Sequence, residues 1–177
     1  ATVLSRVRRV RLPPLSPAAI VERLRGEGVD VESAEHAAHW ATGSLARAQR
    51  IATYGLEAVA ARLARATQDD GGAMRAAEEA LQAIERASAE RAETEGDGAA
   101  DKRRQGVREL LVDVIHILGV EARDLTAGRP ATLLAEASSA QGVALLERLG
   151  RLSAAVASNV TPSIVVLELV RILRPPA

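Results

Sequence analysis

Four arginines near the start of the chain are its clearest candidates for chemistry. They are Arg6, Arg8, Arg9 and Arg11 in the stretch SRVRRVR. An arginine head is planar, always charged and able to bind a phosphate or a carboxylate through two parallel hydrogen bonds. One interpretation is that one of these arginines reaches a phosphate on a partner. The other is an edge strand whose charges prevent sheet-to-sheet association. The residues alone leave both interpretations open.

The histidines and carboxylates do not predict a metal site. His36 and His39 are three residues apart beside two glutamates, but two imidazoles without a clear third ligand seldom hold a metal. His116 lies within the apolar stretch VIHI and is predicted to be a helix residue near the core. The carboxylates all lie in patterns that are typical of a solvated helix surface with i, i+4 ion pairs. We therefore expect neither a metal nor a general acid–base pair.

Composition excludes several classes of function. The 177 residues include no cysteine, and 23 basic residues balance 23 acidic ones. This predicts no disulfide and no general attraction to nucleic acid or to an anionic membrane, and it favours a cytoplasmic protein. The longest apolar run, SIVVLELVRIL, is too short and too charged to cross a bilayer. There is no G-x-x-x-x-G-K-[ST] loop and no G-x-S-x-G, H-E-x-x-H or C-x-x-C motif, so the chain alone is not expected to bind a nucleotide triphosphate.

The elements that carry these residues begin with a single strand. Residues 2–12 alternate with period two, which predicts a strand, and no second strand pattern follows to pair with it. The periodicity then becomes helical. Ser16, Asp30 or Ser33, and Ser44 are suitable N-caps for three short helices joined by tight turns.

Longer helices are predicted for the rest of the chain. They cover about 54–66, 73–92, 102–126, 140–157 and 162–173, with breaks at QDDGG and at the exposed loop ETEGDGAAD. The predicted fold is therefore all-α. It consists of a small three-helix bundle followed by a larger helical domain, with one residual N-terminal strand.

Three segments together resemble a known family. TVLSRVRRVRLPPLSPAAIVERL resembles the end of the ATPase core in AAA+ clamp-loader subunits, where a strand ends in a Ser-Arg-Cys motif and leads into the lid domain. GSLARAQRIA resembles the sensor-2 helix of that lid. SNVTPSIVVLELVRIL resembles the final helix of the collar domain in bacterial DNA polymerase III clamp loaders, and EARDLTAG is similar to the preceding collar helix. The order and spacing of these segments carry the resemblance over nearly the whole chain.

The resemblance implies three regions and a set of partners. Residues 1–11 would end the AAA+ core strand, 12–66 would form the lid bundle and 67–177 the collar oligomerisation domain. The chain would be a C-terminal piece without the nucleotide-binding core, so it would hold no cofactor and ATP would be bound by partner subunits. The implied partners are the gamma/tau and delta subunits, with the sliding clamp and primed DNA reached through the assembled complex and no membrane.

The same resemblance implies roles for single residues. Ser5 and Arg6 match the Ser-Arg of the strand motif, whose cysteine is replaced by Val7. Arg6 would be a finger inserted into the ATP site of a neighbouring subunit, where it stabilises charge on the γ-phosphate. Gly43 and Ser44 match the Gly-Ser pair that precedes the sensor-2 helix.

The position of the sensor-2 arginine favours one subunit type. In the subunits that hydrolyse ATP it stands three residues after the glycine of the Gly-Ser pair, where this chain has Ala46. Arg47 is displaced by one residue, about 100° around the helix. This favours the delta-prime subunit, which lends a finger without turning over ATP, over gamma/tau. Arg123 and Asp124 match the Arg-Asp pair of the collar, and Asn159 matches the asparagine before its last helix.

Two apolar sets are candidate faces for contact with sister subunits, although most of their members are expected to serve the core of each bundle. The two sets are Leu110, Leu111, Val114 and Leu118, and Ile164, Leu167, Leu169 and Ile172.

The alternative to a clamp-loader piece is a stand-alone helical adaptor, unrelated to replication, whose N-terminal strand adds to a partner's sheet. A small enzyme with an unrecognised site is a third interpretation.

Overall fold

The computed structural model describes residues 13–65, 70–95, 99–158 and 160–174. The regular elements in these ranges are eight α-helices, which confirms the all-α prediction for the described residues. They are α1 (Pro17–Gly26), α2 (Val31–Ala41), α3 (Leu45–Thr53), α4 (Leu56–Arg65), α5 (Asp70–Glu95), α6 (Ala99–Thr126), α7 (Ser139–Ala157) and α8 (Pro162–Leu173). The predicted strand with Ser5 and Arg6 lies outside the described residues, and so does Asn159.

Side-chain caps begin the short helices where the sequence predicts them. Ser16 accepts a hydrogen bond from the backbone N–H of Ala19 at 3.3 Å, and Pro17 occupies the first turn of α1. Asp30, rather than Ser33, is the N-cap of α2, and its side chain accepts a hydrogen bond from the backbone N–H of Ser33 at 2.9 Å. That bond lowers the pKa of Asp30 below its ordinary value. These caps satisfy N–H groups that the start of a helix leaves unpaired, so a local signal is enough to locate them.

Two predicted breaks are shorter than the sequence indicates. Helix α5 begins at Asp70, so the glycine pair of QDDGG lies in its first turn, and the helix continues to Glu95. Helix α6 begins at Ala99, which limits the predicted loop over 93–101 to the stretch between these two helices. The reason lies in helix propensity. Alanine and glutamate are strong helix formers, and a glycine costs only about 1 kcal/mol in a helix.

Helix α6 is the centre of the fold. It packs against α5 and α7 and also contacts α2, α3, α4 and α8. The buried apolar side chains form one continuous cluster from Ile20 in α1 to Leu173 in α8, and Trp40 of α2 is among its largest members. The boundary between 12–66 and 67–177 falls outside the described residues, so this division of the chain stays a prediction.

Helices α6 and α7 approach each other closely. A Cβ added at Gly142 of α7 would lie 2.9 Å from the carbonyl oxygen of Ala122 in α6, so the absence of a side chain permits this crossing. Helix α7 begins with a capping box in which Ser138 and Gln141 each bind the other's backbone N–H. Within the described ranges, no helix combines the length and the apolar character that crossing a bilayer requires.

Candidate functional site

Three buried carboxylates lie along α6. Asp113, Glu121 and Asp124 are 1–2% exposed. At 3.6 residues per turn, their spacing places them on the same side of α6. The sequence-based assignment of all carboxylates to a solvated surface is therefore wrong for these three. We call them, with the groups that bind them, the polar seam. The partners are His39, Trp40, Arg47, Arg50, Arg129 and the backbone N–H groups of Leu133 and Leu134.

Two arginines of α3 bind Asp113. The Nε of Arg47 donates to Oδ1 at 3.1 Å, and the Nε of Arg50 donates to Oδ2 at 2.6 Å. Arg50 also donates from Nη2 to Oδ1 at 3.2 Å. The hydrogen bonds from Arg50 to Asp113 raise the pKa of Arg50. Because a buried carboxylate needs charged or polar partners, this pair of arginines joins α3 to α6 in one orientation.

Neutral N–H groups bind Glu121. The indole Nε1 of Trp40 donates to its Oε1 at 2.9 Å. The backbone N–H groups of Leu133 and Leu134 donate to its Oε2 at 2.6 and 3.3 Å. Glu121 therefore links α2, α6 and the segment that follows α6. Each of these donors is satisfied inside the protein, where an unpaired donor would be costly.

Asp124 completes the polar seam at the end of α6. His39 Nε2 lies 2.8 Å from Oδ2, and Arg129 donates from Nε to Oδ1 at 2.7 Å. Arg123, the other half of the Arg-Asp pair, is exposed while Asp124 is 2% exposed. The two adjacent residues thus lie in different environments, and only Asp124 belongs to the polar seam.

His116 lies beside the arginine pair, half-buried between α6 and the end of α2. Its Nε2 is 3.2 Å from Thr42 Oγ1 and 3.4 Å from Arg47 Nη1. Burial lowers the pKa of His116, and the positive charges of Arg47 and Arg123 lower it further, while Asp113 opposes them. A neutral ring fits this position, because its Nε2 then accepts a hydrogen bond from the guanidinium.

The Gly43–Ser44 pair positions Arg47. Ser44 Oγ accepts a hydrogen bond from the backbone N–H of Arg47 at 3.4 Å and caps α3. Gly43 has a φ of +89°, and a Cβ at this position would overlap the ring of Pro14. Only glycine adopts this positive φ at low cost and also leaves the space that the Pro14 ring occupies. The turn and the cap together set the start of α3, from which Arg47 reaches α6.

The two histidines of α2 serve different partners. His36 Nδ1 lies 2.9 Å from Glu57 Oε1 in α4, whereas His39 contacts Asp124 in α6. His36 also packs against Trp40, with ring centroids 5.3 Å apart. In the part of the chain that the structure describes, no three His, Asp or Glu side chains are grouped as metal ligands.

The structure separates core from surface in the two candidate apolar faces. Ile164 is 57% exposed and Leu167 is 42% exposed, and they form an exposed apolar face of α8. The remaining candidates are buried in the core of this chain: Leu110, Leu111, Val114, Leu118, Leu169 and Ile172. An interface with another chain through these residues is therefore limited to Ile164 and Leu167.

The polar seam is built for holding helices together rather than for acid–base chemistry. No buried side-chain nitrogen or oxygen among the described residues lacks a hydrogen-bond partner. A reacting group needs an accessible, incompletely bound atom, and the three seam carboxylates are 1–2% exposed. A signal for them exists in the stretch DVIHILGVEARD, where carboxylates interrupt an apolar helix face.

Comparisons of this chain with protein-family models, with curated proteins and with solved structures find no match.

Proposed function

We propose that this chain is the lid and collar part of a DNA polymerase III clamp-loader subunit of the delta-prime type, which helps to assemble the clamp-loader ring. The observation that carries the proposal is the setting of Arg47. It follows the Gly43–Ser44 turn in the segment that resembles a sensor-2 helix, and it donates to Asp113 at 3.1 Å. An arginine engaged in this way is suited to fixing the lid helix on α6. The engagement of Arg47 by Asp113 supports the assignment to a subunit type that does not itself turn over ATP.

The exposed face of α8 supports a role in a ring. Ile164 and Leu167 lie in the segment that resembles the last collar helix, and they remain exposed when the core is complete. Apolar side chains grouped on a surface helix are typical of contacts with another chain. Sister subunits of the clamp loader would cover this face.

Co-assembly tests the proposal. The chain is mixed with the gamma/tau and delta subunits of the same organism and analysed by size-exclusion chromatography with light scattering. We expect one complex that contains all three. Replacing both Ile164 and Leu167 with aspartate should weaken it, whereas Val143→Asp, at a position that is 61% exposed on α7, should not. A chain that never co-elutes with these subunits is not a clamp-loader piece, and the adaptor interpretation then takes its place.

Arg6 is tested separately. In a subunit that carries the nucleotide-binding core implied by the resemblance, reassembled into its complex, Arg6→Ala should lower DNA-stimulated ATP hydrolysis and leave assembly intact. A trans-acting arginine finger raises the rate of hydrolysis about 10³-fold or more at the site that it serves. Unchanged turnover in the Arg6→Ala complex would remove this residue from the mechanism without affecting the assembly proposal.

A further inference from the structure

A groove with an apolar floor and arginines at its edges crosses the surface between α4, α7 and α8. It consists of two adjoining depressions that share Leu134, Ala137, Gln141 and Leu173. Ala140, Ala144 and Leu145 of α7 extend the apolar floor. We call this the arginine-edged groove. The groove shares Leu133 and Leu134 with the polar seam, to which their backbone N–H groups belong, and it does not include Ile164 or Leu167 of the exposed face of α8.

The charges at the edges of the groove have a clear bias. Arg65 lines one end, and Arg148, Arg171 and Arg174 line the other. Glu136 is the carboxylate among the lining residues. Glu168 binds Arg171 through two hydrogen bonds, so the four arginines face two carboxylates and the edges keep a positive excess. The surface therefore combines apolar area with positive charge, which is complementary to a ligand that is both apolar and acidic.

Arg148 is held in place before any ligand arrives. Its Nη1 and Nη2 donate to the carbonyl oxygens of Ile172 and Arg171 at 3.3 and 3.4 Å, at the last turn of α8. These bonds fix the guanidinium at the edge of the groove and use two of the five N–H donors that an arginine has. A carboxylate that approaches from the groove would meet a preorganised cation, which reduces the entropy lost on binding.

The groove favours a helix as its occupant. An added strand needs free backbone N–H and C=O groups along an edge. The walls of the groove are α4, α7 and α8, whose backbone groups are paired internally, and the non-helical segment 132–137. In that segment the backbone N–H of Leu133 donates to Glu121, and that of Ala137 donates to the carbonyl oxygen of Leu134. On its floor, the backbone N–H of Leu134 donates to Glu121 at 3.3 Å. A helix brings its own backbone hydrogen bonds and inserts apolar side chains spaced by three or four residues.

We propose that the arginine-edged groove binds an acidic amphipathic helix of a partner protein. The apolar face of that helix lies on Ala140, Ala144 and Leu145, and its flanking carboxylates pair with Arg148 and Arg171. Single-stranded nucleic acid is disfavoured because the floor offers apolar side chains and no aromatic ring for base stacking. This inference does not depend on the proposed function.

The test uses a displayed library of amphipathic helices. Leucine is fixed at positions i, i+3 and i+7, and the other positions carry glutamate, lysine or glutamine. Selection on the full chain should enrich the glutamate-bearing peptides. The enriched peptide is then labelled, and its affinity is measured by fluorescence anisotropy. Enrichment of lysine-bearing peptides, or of none, would overturn the proposal.

Matched variants locate the binding site. Arg171→Glu should lower the affinity for the enriched peptide about tenfold or more, because it replaces an attraction between charges by a repulsion. Arg151→Glu is the control. Arg171 and Arg151 are 69% and 67% exposed and pair with Glu168 and Glu147 on their own helices, but Arg151 does not line the groove. Equal losses in both variants would mean that the groove is not the site.

A second pair of variants tests the apolar floor. Ala144→Glu should abolish binding, whereas Ala154→Glu, at another exposed position of α7 outside the groove, should not. Circular dichroism verifies that both variants are folded.

Sedimentation of the chain as a dimer that Ala144→Glu dissociates would identify a second copy as the occupant. Groove-dependent binding to phosphatidylglycerol vesicles without peptide binding would identify a lipid surface. Either result overturns the proposal.

Discussion

Helix α6 is held by two different kinds of contact. Toward α2 and α3 it presents the polar seam, in which Asp113, Glu121 and Asp124 are bound by donors from other parts of the chain. Toward α7 it presents mainly apolar and small groups, and a Cβ added at Gly142 would lie 2.9 Å from the carbonyl oxygen of Ala122. A hydrogen bond from Ser139 Oγ to the carbonyl oxygen of Leu125 joins only the ends of the two helices. Apolar burial is non-directional, whereas a buried carboxylate requires specific donors at specific positions. The difference indicates that packing holds α7 to α6, while hydrogen-bond geometry sets the orientation of α2 and α3.

Removing the carboxylate that binds two arginines should cause the largest loss of stability and so tests the polar side of this comparison. Asp113→Ala leaves Arg47 and Arg50 partly buried without their anion, and we expect the free energy of unfolding to fall by about 3–5 kcal/mol. Asp101→Ala is the control, because Asp101 is 87% exposed in its pair with Arg104 in the first turn of α6, and it should lower the free energy of unfolding by less than about 1 kcal/mol. Urea denaturation followed by circular dichroism measures both. Equal effects would show that the polar seam does not act as a buried network.

A cavity in the apolar core should have the next largest effect. Leu118 is 0% exposed, and Leu118→Ala should lower the free energy of unfolding by about 3 kcal/mol through lost contacts and an unfilled volume. Because no ionisable group is removed, the loss should be the same near pH 7.5 and near pH 5.5. Denaturation at both values measures it. A loss that changes with pH would mean that Leu118 also supports the charged contacts of α6.

The turn before α3 should be sensitive to a single methyl group. Gly43→Ala places a Cβ at a positive φ and against Pro14, and we expect a loss of about 2 kcal/mol in the free energy of unfolding. Gly150→Ala is the matched control. Nothing lies within 4 Å of a Cβ at this helical position, so alanine should stabilise the protein by about 0.5–1 kcal/mol. Thermal denaturation of both variants distinguishes strain at the turn from a general effect of replacing glycine.

The smallest expected effect is a change in pH dependence. The pKa of His116 is lowered from 6.5 by burial and by the charges of Arg47 and Arg123. The unfolded state therefore binds the proton more readily, and stability should fall as the pH decreases through about 6.5 toward the lower pKa of the folded state. His116→Gln should remove this part of the pH dependence. Curves of unfolding free energy against pH that are parallel for the two proteins would contradict the assignment.

Local signals located most of the helices. Ser16 and Ser44 cap α1 and α3 at the predicted positions, and Asp30, one of the two predicted candidates, caps α2, because a cap depends on residues three apart in the chain. The Gly43–Ser44 pair identified the start of α3 for the same reason. The predicted loop over 93–101 was too long, since its glutamates and alanines extend the neighbouring helices.

The sequence by itself determined the helical class of the described residues, the caps and the apolar character of α6. It did not reveal that Asp113, Glu121 and Asp124 are buried, because their donors lie as far as 85 residues away along the chain. A carboxylate is stable inside a protein only when such donors converge on it, and convergence is a property of the packed helices. The tertiary structure alone decided which charges of this chain face water and which join its helices.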